Sequence, residues 1–341
     1  MKEELLVDSY YMYNFKGDPS RTPPTGRVYD TQSNSFTMNY AKVALEIDSD
    51  PVTVRTDIGY GALAGYLNGS TLAPLSVAIQ QAYASLKIPG TQLTADFGRF
   101  NTTAGAEVIE ANRNWLYSRS MLFFIIPVHH TGLRLNLKIN DMVSIQGTVA
   151  NGIFADMPDN NKYKTGGFSI TVVPLPTTTI IATTYFGKEG VADGVSDPVH
   201  FVGDLVISHN VTDAFGLNLN IDYVKGLPAA MVGMMMVPGN SSLYAFGVAL
   251  MAHYVVNEHL NVSARGEFLR DKALELDTAD TNGQEYEGTI GVAAPFAGHY
   301  EVRAELRGDF AKNSIYVKGP LATDTAKNQF TGTVAFLGYI Q

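Results

Sequence analysis

Leu133-Arg134-Leu135-Asn136-Leu137-Lys138-Ile139 is the stretch on which the fold of this chain turns. Four aliphatic residues alternate without a break with two cations and an amide. A helix would scatter that pattern around its circumference. An extended strand places Leu133, Leu135, Leu137 and Ile139 on one face and Arg134, Asn136 and Lys138 on the other. The rhythm returns in Phe215-Gly216-Leu217-Asn218-Leu219-Asn220-Ile221-Asp222-Tyr223 and in Tyr300-Glu301-Val302-Arg303-Ala304-Glu305-Leu306-Arg307. Such a strand calls for an apolar medium on one side and a polar one on the other.

Outward from these three, weaker copies run the length of the chain. They lie near 4–15, 35–47, 52–63, 77–88, 91–100, 142–152, 165–174, 177–187, 199–210, 242–256, 259–270, 284–294 and 327–340. Together they make about sixteen strands, in keeping with the even counts of bacterial barrels. On the first, Leu5, Val7, Tyr11, Tyr13 and Phe15 share a face, against Asp8 and Asn14. The links between strands alternate in length. Tight turns such as Asp48-Ser49-Asp50-Pro51, Pro89-Gly90 and Asn140-Asp141 carry turn-forming residues. Between them fall long links near 16–34, 64–76, 101–128, 153–164, 188–198, 226–241, 271–283 and 311–326. Transmembrane barrels have this rhythm, with short periplasmic turns and long outer loops. The expected fold is all-β: one transmembrane antiparallel β-barrel spanning 1–341, with both termini on the short-turn side.

Composition agrees. Of 341 residues only 17% are charged, against about 25% in a typical soluble domain. Mean hydropathy is +0.01, the neutral average of strands with one face toward lipid and the other toward water. No run approaches the roughly 20 apolar residues of a membrane helix. A soluble sandwich would leave many apolar faces uncovered, and the repeat of about 40–50 residues expected of a propeller is missing. The absence of cysteine excludes disulfides, thiolate zinc sites and thiol nucleophiles. The net charge of −9 and the lack of a basic run argue against nucleic acid as a partner. No cofactor is expected. Gly59-Tyr60-Gly61 is read as strand with no helix after it, His129 and His130 point to opposite faces, and Asp277 to Gly283 lacks the later bidentate Glu of a calcium loop. No Ser, His and acid can be assembled into a hydrolase site. A signal peptide is not legible at Met1-Lys2-Glu3-Glu4, and its prior removal is expected for a barrel bound for the Gram-negative outer membrane.

The 101–128 link is the longest, holds Trp115, the one tryptophan, and has a helix-compatible middle. Loops of this length are usually functional or disordered. Glu107 and Glu110, three apart, would share one side of a helical turn, with Arg113 following. On the strands, Lys42, Arg55, Arg134, Arg265 and Arg303 fall on the polar phase about four to eight residues above the short turns, near mid-barrel. Arg307 belongs to the densest charge mixture, with Glu267, Glu287, Glu301 and Glu305. Because Asp57, Asp96 and Asp204 also face inward by phase, the pattern leaves ion selectivity open.

Several segments carry a family likeness: Asn34-Ser35-Phe36 through Leu45-Glu46, Ile79-Gln80-Gln81-Ala82-Tyr83, Gly105-Ala106-Glu107-Val108-Ile109-Glu110, Asn114-Trp115-Leu116-Tyr117-Ser118-Arg119-Ser120 and His130-Thr131-Gly132-Leu133-Arg134. Over about 34–152 the chain resembles the OmpL-like β-barrel porin family; beyond that only the strand pattern continues. The resemblance implies an outer-membrane porin whose outer wall meets lipid and lipopolysaccharide. It implies a water-filled channel for passive diffusion of small hydrophilic solutes or ions, and no catalysis. By analogy with sixteen-stranded porins, the loop after strand 5 folds into the lumen and the assembly is a homotrimer. Glu107, Glu110 and Arg113 would then bring an acidic loop to a constriction facing a basic wall of Lys42, Arg55, Arg134, Arg265, Arg303 and Arg307. The competing expectations are a structural or adhesive barrel closed by its loops, or a membrane-embedded enzyme. One departure from the barrel pattern is the ending Phe336-Leu337-Gly338-Tyr339-Ile340-Gln341, without a final aromatic residue.

Overall fold

Sixteen strands pair in chain order, all antiparallel, and the last closes on the first. They are β1 (Lys2–Asn14), β2 (Ser35–Ser49), β3 (Val52–Gly61), β4 (Ser76–Lys87), β5 (Leu93–Asn101), β6 (His129–Lys138), β7 (Val143–Ala150) and β8 (Thr165–Leu175). The second half comprises β9 (Thr178–Lys188), β10 (Val199–Asn210), β11 (Phe215–Leu227), β12 (Asn240–Asn257), β13 (Leu260–Asp271), β14 (Gly283–Phe296), β15 (Tyr300–Ala311) and β16 (Asn328–Ile340). The computed structural model describes residues 1–16, 24–68, 76–154, 159, 161–189, 199–227, 231–232, 235–236, 240–271, 283–318 and 324–340. Residues 272–282, which include most of the stretch weighed as a calcium loop, lie outside the described residues. Among the described residues no helix is long and apolar enough to cross a membrane; the strands do the crossing.

The period-two reading places the faces correctly. Leu135 and Leu306 are 41% and 60% exposed on the outer wall, whereas Arg303 and Arg307 are 5% and 3% exposed within. Outward Leu, Val, Ile, Phe and Tyr side chains offer the surface that a bilayer needs. Closure of the barrel gives each of its strands a partner on both sides, the condition for β-structure in lipid.

Three features depart from the alternation. On β1 the inner face is Leu6, Asp8, Tyr10, Met12 and Asn14, so three of the five are apolar or aromatic. Leu6 packs with Tyr29, Tyr40, Leu63, Leu67, Ile109 and Phe123, and Tyr10 and Met12 pack with Tyr117 and Leu337. The inner wall here is buried because other segments lie against it. Second, the strand expected over 52–63 ends at Gly61, and a helix, α1 (Ala62–Leu67), follows it. Gly61 has φ +133°, and a Cβ there would sit 2.4 Å from the Asn39 carbonyl oxygen, so only glycine allows this exit from the sheet. The helix the sequence reading lacked is thus present, but it packs on β4, β2 and β3 within an antiparallel barrel, which is no dinucleotide-binding context. Third, register shifts between Asp8 and Ser9 opposite β2, and between Asp57 and Ile58 opposite β4, leave Asn39 and Gln80 as extra residues. Each bulge turns two successive side chains inward, Asn39 with Tyr40 and Gln80 with Gln81, all buried.

Candidate functional site

The 101–128 segment leaves β5 and returns to β6 through a neck closed by the Thr102 amide donating to Val128 O at 3.1 Å. Between those points its partners lie around the inside of the barrel. Thr103 Oγ1 donates to Gln146 Oε1 of β7 at 3.1 Å, and the Ala106 amide to Asn220 Oδ1 of β11 at 3.2 Å. Glu107 pairs with Arg265 of β13 at 2.9 Å. Glu110 pairs with Lys42 of β2 and accepts from Gln80 Nε2 of β4 at 3.0 Å. Arg113 reaches Glu4 of β1 at 2.7 Å. Trp115 stacks on His253 of β12, ring centroids 5.3 Å apart.

Glu107 and Glu110 do not share a helical side. Residues 105–110 are non-helical, and the only turn of helix nearby is the 3-10 turn Ala111–Arg113. Asn114 explains the local shape. Its Nδ2 donates to the carbonyls of Val108 and Glu110 at 2.8 Å each, and its Oδ1 accepts from the Val108 amide at 2.9 Å. Those bonds give the backbone an alternative to helix, and the two carboxylates diverge to β13 and β2.

Beyond Trp115 the segment is held by its backbone. The Tyr117 and Ser118 amides donate to Glu305 Oε2 at 2.9 and 3.2 Å, and the Met121 amide to Glu267 Oε2 at 2.8 Å. In the other direction, Arg303 donates to Leu116 O at 3.2 Å, Arg265 to Ser118 O at 2.8 Å and Arg307 to Arg119 O at 2.6 Å. A charged wall therefore satisfies the polar backbone of a buried loop. The wall charges also balance one another. Arg265 meets Glu267 at 2.6 Å and Glu287 at 3.1 Å, Arg307 meets Asp309 at 2.7 Å, and Arg303 pairs with Glu301. Ser120 accepts from the Phe123 amide at 2.9 Å and so caps α2 (Met121–Ile125).

The remaining candidates sit elsewhere. Arg55 is closed in by Asp57 at 2.8 Å, Glu4 at 3.0 Å and Glu46 at 3.3 Å, close to the short-turn end. Arg134 pairs with Asp96 at 2.8 Å and lies over the Phe100 ring at 4.3 Å. The candidates thus form separate groups rather than one facing pair of walls. Residues to which the sequence reading gave no role join them. Tyr117 OH donates to Asp8 at 2.8 Å, and Arg119 donates to the carbonyls of Val108 and Ile109 at 2.9 and 2.7 Å. A lone arginine between Tyr117 and the apolar run from Met121 is a signal that could have found the second. Among the described residues no group of three or more His, Asp or Glu could hold a metal ion.

Residues 3–337 match the sequence model of the family described as "Putative beta-barrel porin-2, OmpL-like". The chain belongs to that family. No curated protein matches this OmpL-like porin. Solved structures do, at the level of fold. Salmonella typhi OmpF, in complex with daunomycin, has TM-score 0.67 and 12% identity over 99% of this chain and 97% of its own. The outer-membrane channel DcaP of Acinetobacter baumannii has TM-score 0.66 and 12% identity over 99% and 96%. Vibrio cholerae OmpT in its trimer form has TM-score 0.62 and 10% identity over 99% and 98%. The OmpL-like porin is accordingly an outer-membrane porin with a closed sixteen-stranded barrel.

Proposed function

We propose that this porin passes small hydrophilic solutes by passive diffusion, performs no catalysis, and is narrowed by residues 101–128. Glu107, Glu110 and Arg113 contribute the loop side of the constriction. Lys42, Arg265, Arg303 and Arg307 contribute the wall side, while Arg55 and Arg134 stand in separate ion-pair groups with Asp57, Glu4 and Glu46 and with Asp96. The observation that carries this reading is the two-way clamp between wall and loop backbone, from Arg265, Arg303, Arg307, Glu267 and Glu305 to residues 116–121. Clamped at so many points, the loop acts as a fixed narrowing. In this proposal Glu110 with Lys42 and Glu107 with Arg265 are closed ion pairs that set the width of the passage, with little charge left over to sort ions. The outer wall meets lipid and lipopolysaccharide, and by likeness to OmpT in its trimer form we propose a homotrimer.

Planar-bilayer recording tests the reading. Wild-type protein is expected to give discrete conductance steps, and replacement of residues 104–124 by a short Gly-Ser link to give larger ones. Steps of unchanged size would remove the loop from the constriction. The apolar packing of Leu6, Tyr10, Met12, Leu63 and Phe123 inside the wall favours a second reading, a barrel sealed by its loops. Absence of any step above the bare membrane would select it.

A further inference from the structure

On the inner side of β5 to β8, near the short-turn end, lies a cavity of about 330 Å³ with the loop residue Thr103 at its edge. Its side chains include Thr94, Asn136, Ser144, Gln146, Ser169 and Thr171. They differ in kind from the clamp on β13–β15. All six are uncharged and carry a hydroxyl or an amide. The one charged lining residue, Lys138, ends β6 and is paired at 2.7 Å with Asp141 of the following turn. Asp96 and Arg134, behind Asn136, neutralise one another at 2.8 Å.

The polar atoms of this wall are already ordered. Asn136 Nδ2 donates to Thr94 Oγ1 at 3.3 Å, Gln146 Nε2 donates to Asn136 Oδ1 at 2.9 Å, and Thr103 Oγ1 donates to Gln146 Oε1 at 3.1 Å. Each hydroxyl and amide keeps capacity beyond these bonds, since a hydroxyl offers one donor and two acceptor sites, and an amide two of each. A solute moving over the wall meets both donors and acceptors, and the charges beside it, Lys138 with Asp141 and Asp96 with Arg134, are paired. The cationic side chains of the clamp are not available to it. Arg265, Arg303 and Arg307 are buried and held by loop carbonyls and neighbouring carboxylates.

We propose that the permeant path runs over this neutral wall and that its preferred solutes are uncharged polyhydroxyl molecules, of the monosaccharide and sugar-alcohol class. The proposal rests on the porin reading above and narrows it. A polyol exchanges its hydrogen bonds to water for equivalent bonds to hydroxyl and amide groups. An ion of the same size gives up hydration in a narrow passage where no countercharge replaces it.

Swelling of proteoliposomes in three solutes with six-carbon skeletons tests the idea: sorbitol, gluconate and protonated glucosamine. Sorbitol is expected to enter at least about threefold faster than either ion, the scale set by one uncompensated charge in a partly wet lumen. Gln146→Glu, with heat-modifiable gel mobility confirming assembly, is expected to raise the ratio of sorbitol to gluconate entry by at least about threefold more. Ser144→Asp serves the same purpose should Gln146→Glu fail to assemble. Equal entry of sorbitol and gluconate, or a ratio indifferent to both substitutions, overturns the proposal. If either result comes with normal bilayer conductance, the porin reading stands and only the solute class falls. Loss of conductance and of all swelling overturns both.

Discussion

Arg265 is the residue on which most of the buried charge depends. It holds Glu107, Glu267 and Glu287, and it donates to the Ser118 carbonyl. Removing one partner from a buried charge group leaves the others desolvated and unpaired, which costs about 3–5 kcal/mol. Arg265→Met is therefore expected to lower barrel stability by that amount in denaturant unfolding from lipid or detergent. A loss below about 1 kcal/mol would show that water reaches the cluster. Glu110 carries a pH dependence of the opposite origin. Burial pushes its carboxyl up, but the Lys42 ammonium and the Gln80 amide outweigh burial and hold it below its ordinary value. A carboxyl lowered on folding stabilises fully above the unfolded value, about 4.3 for Glu, and loses that contribution as pH falls through the lower folded value. Wild-type conductance is thus expected to hold from neutral pH to about 5 and to change in stronger acid as the Lys42–Glu110 tie is lost. Glu110→Gln should abolish that acid transition, and a transition that persists in the variant would belong to another carboxylate.

Among the elements, β2 and β4 show how sheet geometry supplies loop contacts. In a regular strand Asn39 or Tyr40 would face lipid, and so would Gln80 or Gln81. The bulges bring both members of each pair inside. Asn39 then donates to the Tyr117 hydroxyl at 3.2 Å and Gln80 to Glu110 at 3.0 Å. The segment 101–128 is pinned on this side by residues that alternation would place in the membrane. The start of the same segment depends on Gly98 of β5. Its φ is +133°, and a Cβ would stand 2.3 Å from the Ala82 carbonyl oxygen and 2.8 Å from Tyr83 Cα of β4. Relief would require separating the two strands, which pair over only Ala82 to Lys87. Gly98→Ala is expected to destabilise the barrel by more than about 1 kcal/mol, read as a smaller heat-modifiable fraction after refolding. Full recovery would mean that β5 shifts without loss.

At the scale of the whole molecule, closure and assembly are the testable properties. Leu5 pairs with Ile340 and Asn14 with Thr331, so the seam between β1 and β16 is a full ladder. Unboiled protein is expected to migrate apart from boiled protein, and chemical cross-linking in detergent to give a species of about three chains; a monomer under all conditions would end the trimer proposal. The barrel and its strand number were both legible in the sequence. Each of these rests on local properties, namely period-two alternation along a strand and the spacing of turn residues. The candidate charges were legible as inward-facing for the same reason. Their partners were not. Glu107 and Arg265 are far apart in the chain, and they meet only because closure brings β13 opposite a loop that starts from β5. The apolar inner face of β1 and the two bulges depend likewise on what lies across the lumen. By itself, then, the sequence determined a membrane barrel, its outer face and one long segment between β5 and β6. Only the tertiary structure decided which charges are spent on holding that segment and which neutral wall is left to face the cavity. Alternation specifies a side of the sheet, whereas a pairing between distant residues exists only after the sheet has closed.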